Sequence, residues 1–430
     1  MRQAVTEVIQ QIQDSSREPV CAYVYDLVSM QEHVQGMLQS LPTQCWLFYA
    51  IKANPDPHII RSLLPLVGGF EVASIGELMK VREISRDVPI LFGGPGKKEY
   101  ELEQAIRQHV YCLHVESLLE LRRIIYITRR LQATEGSAFN EPTRIMLRIN
   151  LHSGELPQTK ITMGGRATPF GLDEGLLEEA LSIVIREGAG AVKLSGFHFH
   201  SLSNNPDAEL HAEMVGLYMQ KAAQWQQQYE LEPLELINAG GGFGVSYDEQ
   251  TPDFDWKLFT SLVVELPLRE LLPQARLIFE PGRMIVADYG YYVAEVSDLK
   301  VSHEQNFAVL RGGTHHNRLP ASWGHNHPFL VMASENWSAP WARSEIRQQA
   351  VHLVGELCTP KDRMHSDAMV EHLRVGDLIV FVKSGAYCWT ISHHDFLGHP
   401  HPEFYYITKG SDGDHGIIGN DGNAIWQTHR

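Results

Sequence analysis

Residues 44–54 read QCWLFYAIKAN, an apolar run of strand length that stops at Lys52, between Tyr49 and Asn54. An apolar stretch ending in polar residues reads as a buried strand. Leu47–Lys52 is the first of eight such runs. The others are Gly69–Ser74, Ile90–Gly93, Tyr111–Val115, Ile145–Asn150, Leu194–His200, Leu234–Ala239 and Leu277–Glu280. Between most of them apolar residues recur at helical spacing, as in His58–Leu66, Gly76–Ile84, Leu118–Leu131, Leu176–Ile185, Ala208–Trp225 and Leu258–Leu272. Eight β-α alternations predict an α/β protein built on a (β/α)8 TIM barrel, with a doubly wound sheet as the alternative.

After Tyr289 the pattern changes. Tyr291–Leu299, Phe307–Leu310, Val351–Leu357, Leu378–Val382 and Phe404–Ile407 read as strands without long helices between them, which predicts a C-terminal β-domain. The early strand Val20–Tyr25 is expected to join it. The expected organisation is therefore an N-terminal segment 1–26 joining the β-domain, a barrel at 27–288 and the β-domain at 289–430. Gly410–Gly422, rich in glycine and acidic residues, reads as a mobile tail.

The chain has 430 residues, 43% hydrophobic and 20% charged, with a net charge of -16. That charge argues against nucleic-acid or anionic-membrane partners. Residues 1–17 lack the apolar core of a secretory signal, and no run is long enough to span a membrane. The five cysteines are scattered without C-x-x-C spacing, against a disulfide framework or structural zinc. A cytoplasmic enzyme is expected.

The chemistry-bearing residues gather where the barrel strands end: Lys52 after the first, His198 and His200 with Ser203 after the sixth, Gly240-Gly241-Gly242 after the seventh, Glu280-Pro281-Gly282-Arg283 after the eighth. Barrel active sites form on that face. A lysine after a strand is commonly a solvated flank; held in an apolar run, it can have a lowered pKa and form a Schiff base. Glycines without a Cβ let backbone N–H groups converge on a phosphate. Glu280 beside a pyridine nitrogen would keep it protonated and the ring a strong electron sink.

Six blocks carry a resemblance: Tyr49–Asn54, Gly196–Ser203, Gly240–Gly244, Glu280–Arg283, Gly355–Asp362 and Gly385–Tyr387. In this order they resemble the fold type III, alanine-racemase-like decarboxylases that use pyridoxal 5'-phosphate (PLP). The resemblance covers nearly the whole chain and implies roles. Lys52 would carry the cofactor and His200 would stack on its ring. Ser203, Gly241, Gly242, Gly282 and Arg283 would hold the phosphate side, and Glu280 the pyridine nitrogen. Cys358, as acid, and Tyr387, toward the phosphate, would cross from the partner of a homodimer with shared active sites. Lys52, His200, Glu280 and Cys358 are thus the implied catalytic set.

Diaminopimelate decarboxylases carry a glutamate after that cysteine; here the position is Thr359. The blocks 312–314, 323–329, 357–362 and 392–397 resemble the decarboxylases of citrate-based siderophore pathways, such as those of staphyloferrin B, achromobactin and vibrioferrin. That resemblance implies a citryl-amino-acid substrate, citryl-diaminopropionate or citryl-serine. The alternatives are a decarboxylase of a free amino acid or of a carrier-protein-bound glutamyl group. A polycarboxylate gives purpose to the cationic set His315, His316, Arg318, His325, His327, His393, His394 and His399. Arg318, His315, His316, Thr359 and Asp362 are the candidate substrate-binding residues. Adjacent histidines on a strand would face opposite ways, so about half could line one pocket. No metal is expected. A racemase is disfavoured by Glu280, and a non-catalytic binding homologue by the presence of Lys52, Glu280 and Cys358.

Overall fold

The computed structural model describes residues 1–152, 167–248, 250–335, 337–409, 415–419 and 424–427. The chain forms two compact units, one of Val34–Val245 and Asp253–Gly282, the other of Met1–His33, Ser246–Pro252 and Arg283–Arg430.

After β1 (Cys21–Asp26) come the barrel strands β2 (Cys45–Ala50), β3 (Gly69–Val72), β4 (Ile90–Phe92), β5 (Cys112–Val115), β6 (Thr143–Asn150), β8 (Val192–His198), β9 (Leu236–Asn238) and β10 (Arg276–Phe279); short β7 (Leu172–Asp173) pairs with β6. The eight strands pair in parallel in the order β5-β4-β3-β2-β10-β9-β8-β6, and β5 also pairs with β6, which closes the barrel. All eight coincide with the expected apolar runs, with ends displaced by at most two residues. The helical stretch 258–272 is the difference: it is two helices, Trp256–Val264 and Leu268–Leu271, because Pro267 has no N–H to continue the first.

Side chains alternate across the barrel wall. Phe48, Leu91, Cys112, Met146, Leu236 and Ile278 pack into one buried cluster. Two residues further along their strands stand Ala50, Gly93, His114, Arg148, Asn238 and Glu280. Period two thus places a polar layer directly after an apolar one. The opposite face stays apolar, as with Phe197 and Phe199 against Trp225 and Tyr218.

The second unit is a mostly antiparallel sheet. Its further strands are β11 (Gly290–Ser302), β12 (Gln305–Leu310), β13 (Phe329–Met332), β14 (Glu345–Val354), β15 (Arg363–Arg374), β16 (Leu378–Phe381), β17 (Glu403–Lys409), β18 (His415–Gly419) and β19 (Ala424–Gln427). β1 enters this sheet, antiparallel to β11 and parallel to β17. The N-terminal residues also form a helix, Gln3–Ser15, whose Val5, Val8, Ile9 and Ile12 pack on β1, β11 and β16. Their spacing was readable as an amphipathic helix. The expected tail is partly a strand: His415–Gly419 pairs with β17, while residues 410–414 and 420–423 lie outside the described residues. No described helix is long and apolar enough to cross a membrane.

Candidate active site

Lys52 sits in a single helical turn, Ile51–Ala53, directly after β2. The Tyr49 hydroxyl donates to the Asn54 carbonyl at 2.9 Å and closes that turn. The Lys52 ammonium lies 3.5 Å from Glu71 Oε2. Glu71, buried on β3, was not singled out in the sequence; a carboxylate inside a parallel strand was its only signal.

Glu280 is buried, and Asn238 Nδ2 donates to its Oε1 at 2.6 Å. His198 Nε2 stands 3.6 Å from Oε2, and His114 Nε2 4.0 Å from Oε1. Burial, followed by the Glu71 charge, raises the Glu280 carboxyl to about 8, against the pull of Lys52 and the Asn238 bond. Burial pushes His114, His198 and His200 well below the usual histidine value, with Lys52 and Arg148 acting in the same direction. All three rings are neutral at pH 7. His114, His198 and Glu280 bring one donor atom each within 4.8 Å. The same cationic neighbours that keep the rings neutral oppose a metal ion there.

The shift of Glu280 has a measurable consequence. Its folded value lies above its unfolded one, so the folded protein holds a proton that the unfolded chain releases. That stability is present below the unfolded value, near 4.5, and is lost as pH rises toward about 8. Relative to Glu280→Gln, cofactor-free unsubstituted protein is therefore expected to lose melting temperature across this interval; the buried neutral histidines act in the opposite direction but are common to both proteins. Parallel melting curves for the two proteins would show that Glu280 does not titrate there.

The glycine turn follows β9. Gly240 and Gly242 have φ of +71° and +90°, a region that favours glycine. A Cβ at Gly241 would lie 2.3 Å from the Glu280 carbonyl oxygen, and one at Gly242 2.3 Å from that of Leu202. The Gly241 N–H donates to His200 Nδ1 at 3.2 Å, which leaves the His200 proton on Nε2. Ser203 is next to this turn, its N 3.4 Å from where a Gly242 Cβ would be. Gly282 packs on Ala50 and Ala53, where a Cβ would come within 3.0 Å. The barrel unit thus assembles Lys52, His200, Ser203, Gly241, Gly242, Glu280 and Gly282. Neither nitrogen of His198, nor Nδ1 of His114, has a hydrogen-bond partner among the described residues. A lysine beside a carboxylate, a glycine turn without Cβ atoms, a buried carboxyl and unpartnered polar atoms fit PLP.

In the other unit the Arg283 guanidinium lies 3.9 Å from the Trp323 ring centroid and 4.6 Å from that of Tyr387, and donates to the Tyr247 hydroxyl at 3.2 Å. Tyr387 has φ +57°, a strained conformation that its surroundings must impose. The ring of Tyr387, expected at a partner's phosphate, is engaged by Arg283 of its own chain. Cys358 is exposed. Its loop is fastened by Asp362, whose Oδ1 accepts from Thr314 N and Oγ1, both at 2.7 Å, and whose Oδ2 accepts from Leu357 N at 2.8 Å. Asp362, expected among the substrate-binding residues, has oxygens that accept from backbone N–H groups and a hydroxyl of its own unit. Thr359 N donates to the Leu357 carbonyl at 2.8 Å in this loop.

His315 and His316 do not alternate on a strand. They sit in a turn, with His316 N and Asn317 N both bonded to the Gly313 carbonyl, and their rings lie 3.8 Å apart. His316 Nδ1 is 3.3 Å from the Tyr292 hydroxyl. His315 Nε2 and His399 Nδ1 stand 3.7 and 3.5 Å from Glu356 Oε1, which Arg311 also pairs. Burial, then His399 and His393, lower His315 to about 4. Arg318 is tied through its N–H to Ser392 Oγ at 3.0 Å; burial, then the Arg318 charge, lowers the pKa of His393. His327 is committed to the Val382 carbonyl at 2.8 Å. Arg311 and Glu356 at the His315 turn, and Tyr247 and Trp323 at Arg283, were not given these roles from the sequence, because only folding brings them to these residues.

Residues 27–287 match the pyridoxal binding domain of the pyridoxal-dependent decarboxylases. The chain is 42% identical over 405 residues to the 2-[(L-alanin-3-ylcarbamoyl)methyl]-2-hydroxybutanedioate decarboxylase of Staphylococcus aureus, covering 94% of this chain and 98% of that one. It is 31% identical to the L-glutamyl-[BtrI acyl-carrier protein] decarboxylase of Niallia circulans, covering 88% of this chain and 87% of that one. Among solved structures it is similar to diaminopimelate decarboxylase from Helicobacter pylori complexed with L-lysine, with a TM-score of 0.78, 25% identity, and coverage of 96% of this chain and 95% of that one.

Proposed function

The chain belongs to the pyridoxal-dependent decarboxylases, and from that premise we propose that it decarboxylates a citrate amide of 2,3-diaminopropionate during assembly of a citrate-based siderophore. It is a PLP-dependent carboxy-lyase. The observation that carries the substrate is the similarity to the Staphylococcus aureus decarboxylase along nearly the full length of both chains. The substrate named there pairs an amino-acid end with a 2-hydroxybutanedioate end that keeps two carboxylates. The α-carboxylate leaves as carbon dioxide, a proton takes its place on the α-carbon, and the product is a primary amine.

Bound PLP supplies the electron sink for the α-carbon. The chain's own residues do the rest. Lys52 would hold the cofactor, with Glu71 positioning its amine. Glu280 would serve the pyridine nitrogen, the Gly240–Gly242 turn with Ser203 the phosphate, and His200 the ring face; Arg283, with Tyr387 against it, would add a positive charge for the phosphate. Cys358 returns the proton to the α-carbon. His315, His316, Arg318 and Thr359 serve the carboxylate-bearing end, with His399 added to them. We place Cys358 in a site shared across a homodimer. We place the enzyme in the cytoplasm, in keeping with five free thiols.

Mass spectrometry of products from free and citryl-conjugated amino acids tests this reading. The citryl conjugate of diaminopropionate is expected to be turned over far better than free diaminopimelate, ornithine, arginine or lysine, because remote binding orients the scissile carboxylate. Arg318→Ala is expected to cost about 1–3 kcal/mol of this preference. Equal kinetics on a free diamino acid would sink the proposal.

A further inference from the structure

Asn238 closes β9 and is fully buried. Its Oδ1 accepts the Gly240 N–H at 2.9 Å. A backbone N–H can only donate, so this bond fixes which end of the carboxamide is oxygen. The amino end therefore faces Glu280 Oε1, at 2.6 Å, and its second hydrogen faces His114 Nε2, at 3.3 Å. His198 and His114 approach Glu280 only to 3.6 and 4.0 Å, beyond hydrogen-bonding distance. One side chain thus ties the residue that opens the glycine turn to the carboxyl at the barrel centre.

We propose that Asn238 is a positioning residue that locks the phosphate end of the cofactor cradle to its pyridine end and supplies the hydrogen bond favouring the carboxylate form of Glu280. The inference rests on the PLP reading above and deepens it. The groups facing Glu280 divide by sign. Glu71 and burial favour its protonated form, Lys52 and Arg148 its ionised form, and neutral His114 and His198 stand beside it. In that balance a single charge-assisted donor at 2.6 Å carries weight. The same bond sets the tautomer of His114: with Nε2 accepting, its proton lies on Nδ1, toward Gly93, where a Cβ would come within 3.2 Å of Nδ1 and 3.4 Å of Glu71 Oε1.

The two ends of Asn238 can be separated by substitution in the whole 430-residue chain. Asn238→Ala removes both bonds. Asn238→Asp keeps an acceptor for Gly240 and replaces the donor to Glu280 by an oxygen. Each is assayed for PLP affinity, for competition by inorganic phosphate against PLP uptake, for the pH transition in the absorbance of bound cofactor, and for melting temperature. Asn238→Ala is expected to weaken PLP binding about tenfold or more, weaken phosphate competition, and move the absorbance transition up by about one pH unit. Asn238→Asp is expected to leave phosphate competition within about twofold of wild type and still move the transition. In a Glu280→Gln background Asn238→Ala is expected to leave the transition unmoved, since its effect runs through Glu280. A lower melting temperature with phosphate competition and the transition unchanged would mean a merely structural amide and overturn the proposal. So would identical behaviour of the Ala and Asp variants. Failure of the unsubstituted protein to take up PLP would instead overturn the function proposed above, and is seen in the same titration.

Discussion

Lys52→Ala is expected to leave a folded protein that has lost both its covalently held cofactor and its activity. Borohydride treatment of the unsubstituted protein should fix one PLP per chain, and peptide mapping should find it on Lys52. The variant should show no fixed adduct, and decarboxylation should fall on the order of 10³-fold or more, because one amine both anchors the cofactor and exchanges protons with it. The barrel should stand. Lys52 lies in a turn after β2 with a half-exposed side chain, and the buried cluster of Phe48, Leu91, Cys112, Met146, Leu236 and Ile278 does not include it. An adduct on another lysine would move the site away from Glu71 and Glu280.

The second large effect is a recovery. Lys52→Ala and Cys358→Ala proteins are each expected to be nearly inactive, and mixing them under subunit exchange is expected to restore about a quarter of wild-type activity. Half of the randomly paired dimers are mixed, and in each one site carries both defects while the other carries neither. Tyr387 supplies the control. Because its ring lies 4.6 Å from Arg283 of the same chain, a Tyr387→Ala protein mixed with Lys52→Ala should give no comparable recovery. In that mixed dimer the site with an intact lysine still lacks its own tyrosine. No recovery with Cys358→Ala, after exchange confirmed by mass, would remove Cys358 from a trans role. Recovery with Tyr387→Ala would restore the crossing that the Arg283 contact argues against.

The barrel was legible because its signal is local. A parallel strand buried on both faces must be apolar, and turns must interrupt it, so eight runs could be counted from sequence. The chemistry at strand ends was legible for the same reason: Lys52, His200, the three glycines and Glu280 each close a run. The helix Gln3–Ser15 was equally local and was passed over, because its glutamines mask four apolar residues at helical spacing.

What the sequence by itself determined, then, is which residues stand at the ends of which strands. From that and the resemblance came the cofactor and the class of reaction. Only tertiary structure decided which of them meet. Period two lifts His114, Arg148 and Asn238 to the level of Glu280, on strands far apart in sequence. A strand-borne histidine or asparagine carries no mark of what lies across a closed barrel. The same holds for the turn after β12, where Gly313 bonds bring two histidine rings to 3.8 Å and Asp362 fastens the neighbouring loop. Hydrogen bonds between residues dozens of positions apart have no period to read. They exist only once the strands close and the loops are set against each other.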